Sequence, residues 1–470
     1  MVGITSFGAY VPVYRLKRDE ISRAWGTKSL GGERAVAGHD EDSLTMAVGA
    51  ALDCMKQGEK KIDGLFFAST TPPYHEKQVA AMIAATMDLP EKTRTADFVG
   101  SLRSGTIALN SAIDAVRSGS AENILVAVSD SRMGIEKSQF EQLFGDGAVA
   151  LTIGNSGVMA SIEGSYSLFS ELMDTWRVEG KPFVQSWEER FILGEGYLKT
   201  MEKVVTGIME KERMTPKDFA KLVLYGTDGR SHANLAKRLG FDLKTQVQEL
   251  PLDSIGNIGV AMLPMMIVNA LCQSPPEVRI LVANYGDGGD AFILKVTKDV
   301  ERMQGKHRIN EGLGKKTYID YERYLSWRDL IALEEARRPE RHPPSITCWW
   351  RDRKSAVALY GSKCKRCGTV HYPLQRICAK CQAKDDSEEY RLSDKRGRIF
   401  TYAIDTLTAS KKAPAIVGVV DFEGGGRMMC EIADCEPPQI QIGMPVEMCL
   451  RKQIEKGGMH HYVWRARPVL

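Results

Sequence analysis

No charge of either sign dominates this sequence: 63 basic and 60 acidic side chains leave a net charge of +3 over 470 residues. So even a balance gives no reason to expect nucleic acid or a membrane surface as the principal partner. Long apolar runs are lacking too. The opening MVGITSFGAYVP reads as a strand and a turn, with no basic segment leading into an apolar core, so no secretory leader is expected. The most apolar stretch, Ile258 to Cys272, contains Pro264 and Asn269 and is too short to span a bilayer; a buried helix is expected there. Nor is this a disulfide scaffold. Of ten cysteines, Cys364, Cys367, Cys378 and Cys381 share one short window, while Cys54, Cys272, Cys348, Cys430, Cys435 and Cys449 are scattered. That pattern points to a reducing, cytoplasmic setting with one metal site, the scattered six packing as small apolar residues.

What is present is an ordinary globular composition, 43% apolar and 26% charged, in a chain long enough for about three domains. Up to about residue 300, apolar strands alternate with amphipathic helices. Leu44, Ala47, Val48, Ala51 and Leu52 recur at helical spacing between Asp42 and Met55, and strands such as DGLFFAS and NILVAVSD are nearly continuous apolar runs. The second half repeats the theme, with helices expected over GYLKTMEKVVTGIM, TPKDFAKL, HANLAKRLGF and IGNIGVAMLPMMIVNAL. Such alternation implies α/β layers with buried parallel strands, and the two similar halves suggest an internal duplication. Residues 301–345 are charged and weakly helical, ending at Pro343-Pro344, and read as a helical linker. Five short strands follow, RIFTYAIDTL, PAIVGVVDF, RMMCEIAD, PVEMCLRKQ and HHYVWRARPV, the pattern of a small barrel.

Between the linker and the barrel, KCKRCGTVHYPLQRICAKC sets Cys364-x2-Cys367 ten residues before Cys378-x2-Cys381. Each pair can aim two thiolates at one tetrahedral zinc, and Gly368 allows the tight turn after the first pair. Four thiolates close the shell, so the zinc expected here is structural. Lys363, Lys365, Arg366, Arg376 and Lys380 would suit a nucleic-acid ribbon, but the neutral remainder favours a solvated face instead.

Several ordered motifs carry a resemblance. GERAVAGHDEDSLTMAVGAAL and MDTWRVEGKPFVQSWEERFILGEGYLK resemble segments of archaeal-type 3-hydroxy-3-methylglutaryl-CoA synthases. GDGAVALTIG around Asp146 and NYGDGGDAF around Tyr285 are similar to the wider thiolase superfamily. The likeness spans roughly residues 1–295. It implies a five-layered αβαβα fold, usually dimeric, acting on acyl-CoA thioesters with a cysteine nucleophile, a histidine and a glutamate base. Carried over position by position, all three are changed. In DFVGSLRSGTIAL, Leu102 stands where the cysteine belongs, flanked by Ser101 and Ser104; in ASTTPPYHEKQ, Thr70 falls on the acid's position; in LYGTDGRSHANLAKRLGF, Tyr225 takes the histidine's, with His232 seven residues on. Asn257 of the IGN motif is kept. The plain alternative is that Leu102 packs in the core, Thr70 and Tyr225 satisfy local hydrogen bonds, and His232 caps a helix. Cys54 and Cys272 read as core.

The end of the chain is similar to the acyl-CoA-associated family that joins a rubredoxin-like zinc ribbon to an OB-fold, on CWWRDRKSAVALYGSKCKRCGTVHYPLQRICAKC, RGRIFTYAIDTL and QIGMPVEMCL. The expected organisation is therefore two thiolase-like halves over 1–160 and 161–300, the linker, a zinc ribbon over 346–390 and an OB-fold over 391–470. The expected function is carbon–carbon bond formation or cleavage in an acyl-CoA, of aldol, retro-aldol or Claisen type, without a covalent acyl-enzyme. Tyr225 would move the proton, helped by His232, with Asn257 and the N–H groups of 102–106 on the oxyanion. A serine nucleophile at Ser101 or Ser104 lacks a base nearby in sequence. Two alternatives stand beside it: a CoA-binding scaffold that recruits a separate thiolase, and a conventional synthase should the nucleophile lie elsewhere. Basic side chains are spread along the chain, so no cluster for the CoA phosphates stands out.

Overall fold

The computed structural model describes residues 1–56, 58, 61–303, 314–334, 345–408 and 410–469. They form two compact units. The first, Met1–Ala37, Asp42–Ala84 and Leu89–Tyr321, is built on nine strands in the spatial order Lys221–Leu224, Arg279–Tyr285, Gly288–Val296, Ala160–Phe169, Gly3–Tyr10, Asp146–Gly154, Asn123–Ser131, Gly64–Ser69 and Arg94–Val99.

The pairing senses reveal the duplication. In the first half Gly64–Ser69 runs parallel to Asn123–Ser131, followed by antiparallel steps to Asp146–Gly154 and Gly3–Tyr10. In the second half Lys221–Leu224 runs parallel to Arg279–Tyr285, followed by antiparallel steps to Gly288–Val296 and Ala160–Phe169. The halves meet where Gly3 and Ile4 pair with Ser161 and Ala160. A Cβ at Gly3 would overlap the Ala160 carbonyl, so this seam needs glycine. Helix Ser43–Met55 covers one face of the first-half strands and helix Ser104–Arg117 the other, while Met262–Gln273 and Lys199–Glu212 do the same for the second half. The result is the five-layered α/β build, and strands covered on both faces read as unbroken apolar runs. Gly64–Ser69 and Asp146–Gly154 are buried throughout.

Several local expectations are corrected. TPKDFAKL closes only a 3-10 turn at Pro216–Asp218, because Lys221–Leu224 is drawn into parallel pairing beside Arg279–Tyr285. The helix after the elbow starts at Ser104, leaving Leu102 in the preceding turn. The apolar stretch from Ile258 begins as a 3-10 turn, Gly259–Ala261, and becomes α-helical at Met262; Gly256 and Gly259 have φ of 77° and 61°, outside the helical range. Within the segment read as a helical linker, Thr317–Tyr318 is a strand paired with Tyr14 and Arg15, and a helix follows at Tyr321–Trp327. Residues 304–313 and 335–344 of that segment lie outside the described residues. Cys348 is exposed, not packed.

The second unit comprises Gly38–Glu41, Ala85–Asp88 and Glu322–Leu470. Its ribbon has Val370–His371 and Ser387–Arg391 on either side of Tyr360–Cys364. Its barrel orders Arg427–Glu431, Ala415–Phe422, Arg396–Asp405, Pro445–Lys456 and Met459–Pro468, and nearly closes where Ala433 N–H donates to the Ala466 carbonyl at 2.8 Å. Ala415–Phe422 alternates half-buried and buried residues, period two. Arg451, 1% exposed, faces Asp434, Glu41 and Asp40 at 2.6, 3.2 and 3.6 Å. Arg465 reaches Asp40 at 2.7 Å. Among the described residues, no helix is long and apolar enough to cross a membrane.

Candidate functional site

The carboxyl ends of parallel strands in an α/β sheet collect functional groups, because the chain turns there into loops free to carry polar side chains. In the first unit Thr70, Ser101, Asp130, Tyr225 and Tyr285 all sit at or just beyond such ends. Asp130 is the hub. Its Oδ1 accepts from Ser69 Oγ at 3.0 Å, Thr70 N at 2.7 Å, and Thr71 N and Oγ1 at 3.1 Å each. Its Oδ2 accepts from Thr70 Oγ1 and Val260 N, both at 2.9 Å. Thr70 is thereby committed to Asp130, and its carbonyl accepts from Arg177.

Tyr225 is 2% exposed. Its hydroxyl accepts from Asn257 Nδ2 at 3.0 Å, while Asn257 Oδ1 accepts from Gly259 N at 3.0 Å. The sequence-expected pair therefore comes together across 32 residues. Among the described residues no acceptor is recorded for the Tyr225 proton. Burial pushes the phenol above its ordinary range, and the charge of Arg132 and the Asn257 hydrogen bond oppose it only in part. The Tyr225 carbonyl accepts from Tyr197 at 2.7 Å, and Tyr197 packs edge-on against Tyr285, whose hydroxyl donates to the buried Asp174 at 2.8 Å. Burial and Asp174 together raise the Tyr285 phenol.

His232 does not cap its helix; Asp228 does, accepting from Ser231 N. The imidazole is buried against Gly226, and no hydrogen bond from it to Tyr225 is recorded. Burial lowers its pKa, with the Leu224 carbonyl opposing.

At the elbow, Leu102 is half-buried and its carbonyl accepts from Asn284 Nδ2 at 3.1 Å. Arg103 makes a bidentate pair with Asp290, at 3.1 and 2.8 Å, which Thr106 and Ser167 also contact, so this turn is pinned to Gly288–Val296. Ser104 Oγ accepts from Ser101 N at 3.3 Å. Ser101 does meet a carboxylate, Asp287 Oδ2 at 2.6 Å, distant in sequence and so not apparent from it. The Cys54 thiol contacts Ser6 and Thr152, and burial pushes it up to about 11; burial does the same to Cys272. Burial thus favours the protonated thiol at both positions. Sequence reasoning missed Asp130, Arg132, Asp174, Arg177 and Tyr197. A signal was available for Asp130: a lone acid ending the apolar run NILVAVSD.

In the second unit the Sγ atoms of Cys364, Cys367, Cys378 and Cys381 all lie within 4.8 Å of one another. Cys364–Cys381 and Cys367–Cys378 are 3.5 Å apart, close to the roughly 3.8 Å expected across a tetrahedral zinc with Zn–S near 2.3 Å. The two knuckles match: Gly368 N donates to Cys364 O and Gln382 N to Cys378 O, both at 2.9 Å, with φ of 72° and 58°. The Cys381 N–H and His371 hold the Cys378 thiol down to about 5. The Ala383 N–H favours a Cys381 thiolate, but burial and the three neighbouring thiols push it up to about 12. Four sulfur donors this close could hold one metal ion, and the donor set fits zinc.

Comparison with known proteins agrees with this geometry. Residues 97–170 match the family model of 3-Oxoacyl-[acyl-carrier-protein (ACP)] synthase III, and residues 389–451 that of the ChsH2 C-terminal OB-fold domain. A hydroxymethylglutaryl-CoA synthase of Pyrobaculum arsenaticum is 31% identical over 346 residues, 71% of this chain and 99% of the relative. That of Methanopyrus kandleri is 32% identical over 343 residues, 70% of this chain and 98% of the relative. Among solved structures, MvaS in complex with 3-hydroxy-3-methylglutaryl coenzyme A superposes with a TM-score of 0.63 at 20% identity, covering 73% of this chain and 94% of the other. PksG, an HMG-CoA synthase from Bacillus subtilis, gives 0.63 at 21%, covering 70% and 89%. Over about 70% of its length, this chain belongs to the hydroxymethylglutaryl-CoA synthase family, and it carries an OB-fold beyond that region.

Proposed function

We propose that this protein makes or breaks a carbon–carbon bond in a β-hydroxy or β-keto acyl-CoA by aldol or retro-aldol chemistry, with no covalent acyl-enzyme. The observation that carries the reading is the Tyr225–Asn257 pair. A buried phenol that accepts from Asn257 keeps its own proton to exchange with the β-oxygen of a substrate. On cleavage, the β-hydroxyl proton passes to the Tyr225 oxygen as the Cα–Cβ bond breaks and its electrons pass to the thioester as an enolate. The phenol's own proton goes to Cα, which releases the shorter acyl-CoA and a carbonyl compound and leaves Tyr225 as it began. The second Nδ2 hydrogen of Asn257 and the N–H groups opening Ser104–Arg117 suit the enolate oxygen. Leu102 at the elbow favours the same reading, since leucine forms no thioester. CoA thioesters are the substrate class handled by the named relatives, and zinc in the four-cysteine site is structural. A homodimer is the expected assembly.

A second reading, a non-catalytic CoA-binding scaffold for a separate thiolase, is favoured by Thr70, which spends its hydroxyl on Asp130 instead of offering a base. One experiment separates them: purified protein is incubated with a panel of acyl-CoA thioesters and read by mass spectrometry, alongside Tyr225→Phe. Turnover that drops about 100-fold or more in a folded Tyr225→Phe supports the proposal. Unchanged turnover removes Tyr225 from the mechanism, and CoA binding without turnover by wild type leaves the scaffold.

A further inference from the structure

A strand, a sharp turn and a helix in succession lift one side chain clear of a sheet, the build of a nucleophile elbow. Residues 94–117 follow it. Strand Arg94–Val99 runs into Gly100, with φ of 89°, then Ser101, and the helix Ser104–Arg117 opens three residues on. The resemblance to the synthases sets the missing cysteine at Leu102, one residue past this serine. Ser101 is half-buried and Asp287, its acceptor, is exposed, so the pair is open to a ligand.

The serine hydroxyl is oriented twice over. It accepts from Arg103 N at 3.2 Å and donates to Asp287 Oδ2 at 2.6 Å. Asp287 has φ of 43°, a conformation that costs free energy at a residue other than glycine. Its carbonyl is held from two elements, accepting from Arg103 Nη1 at 3.1 Å and from Ser170 N at 3.2 Å. A Cβ on Gly286 would come within 2.9 Å of Leu102 Cβ, so glycine there lets the Asp287 loop lie this close to the elbow. Among the described residues the Leu102 N–H has no recorded acceptor. It is the amide just after the serine, the place from which an elbow stabilises an oxyanion.

We propose that Ser101 and Asp287 form a serine–aspartate dyad that hydrolyses acyl-CoA thioesters through a serine ester. This is a second reaction beside the carbon–carbon chemistry and uses none of the groups assigned to it. Ser101 Oγ adds to the thioester carbonyl while its proton passes to Asp287, and the Leu102 N–H meets the carbonyl oxygen as charge collects there. The C–S bond then breaks, and the sulfur takes the proton from Asp287 and leaves as free CoA. Water adds to the ester and gives a proton to Asp287; the Ser101 oxygen departs with that proton, and a carboxylic acid is released. A carboxylate is a weaker base than an imidazole, so turnover is slow.

The test uses the full-length protein and butyryl-CoA, which has no β-oxygen and so cannot undergo aldol cleavage. Free CoA and butyrate are followed by chromatography, and an acid-quenched sample is digested for mass spectrometry. Wild type is expected to release the two in equal amounts, faster than buffer alone, and to carry a butyryl ester on the peptide containing Ser101. Ser101→Ala is expected to lose the ester and fall to the rate of buffer, and Asp287→Asn to slow release about 100-fold. Wild type no faster than buffer overturns the proposal, as does release that survives in Ser101→Ala or an ester on another residue. Full activity in Asp287→Asn would remove the base and overturn the dyad. Failure here leaves the aldol reading intact, because that reaction frees no CoA. Failure of the aldol reading leaves the dyad intact, because butyryl-CoA offers nothing to Tyr225.

Discussion

Six hydrogen bonds converge on the carboxylate of Asp130, three from backbone N–H groups and three from hydroxyls. Such a hub fixes the Thr70–Thr71 turn and the start of the Gly259–Ala261 turn at once. An asparagine there turns one acceptor into a donor facing other donors. Asp130→Asn is therefore expected to cost about 2 kcal/mol or more, read as a lower urea midpoint with an unchanged slope. At this scale the sequence carried part of the candidate site's geometry. Tyr225 and Asn257 were legible because a family motif marks their positions. Asp174 was not, since its contact with Tyr285 joins residues 111 apart in the chain.

Among the elements, the paired knuckles are the simplest to perturb. Gly368 and Gln382 hold the same left-handed turn after the second cysteine of each pair, so both halves present their thiols in one geometry. One zinc per chain is expected by elemental analysis, and none in Cys367→Ser/Cys381→Ser. Chelation at neutral pH should open 360–391 to protease while leaving the first unit intact; a metal-free wild type with an equally resistant ribbon would refute the zinc assignment. Period-two strands such as Ala415–Phe422 were readable because one face is buried and the other is not. TPKDFAKL was misread because its fate is decided by Arg279–Tyr285, which local propensity does not contain.

For the molecule as a whole, the charges around Asp40 tie stability to pH. Burial alone would raise this carboxyl, but His39, Arg465, Arg451 and Lys412 outweigh it and hold it down to about 2. The folded pKa lies below the unfolded value near 3.8, so this stabilisation is present above that value and lost as pH falls toward 2. Arg451→Met leaves Asp40, Glu41 and Asp434 without their shared cation. The expected loss is about 3–5 kcal/mol at neutral pH, with a weaker further decline in acid than wild type, measured by denaturant titration at pH 7 and pH 3.5.

The Asp40–Arg465 bond spans 425 residues. At about 5–20 residues per second, a ribosome that has just made Asp40 needs on the order of 20–85 s more to deliver Arg465. Throughout that interval Asp40 is without Arg465, and its carboxylate stays hydrated. The second unit is therefore completed only after the first, and a ribosome stalled within Met459–Pro468 would hold a chain with every residue of the first unit made and the second still lacking a strand.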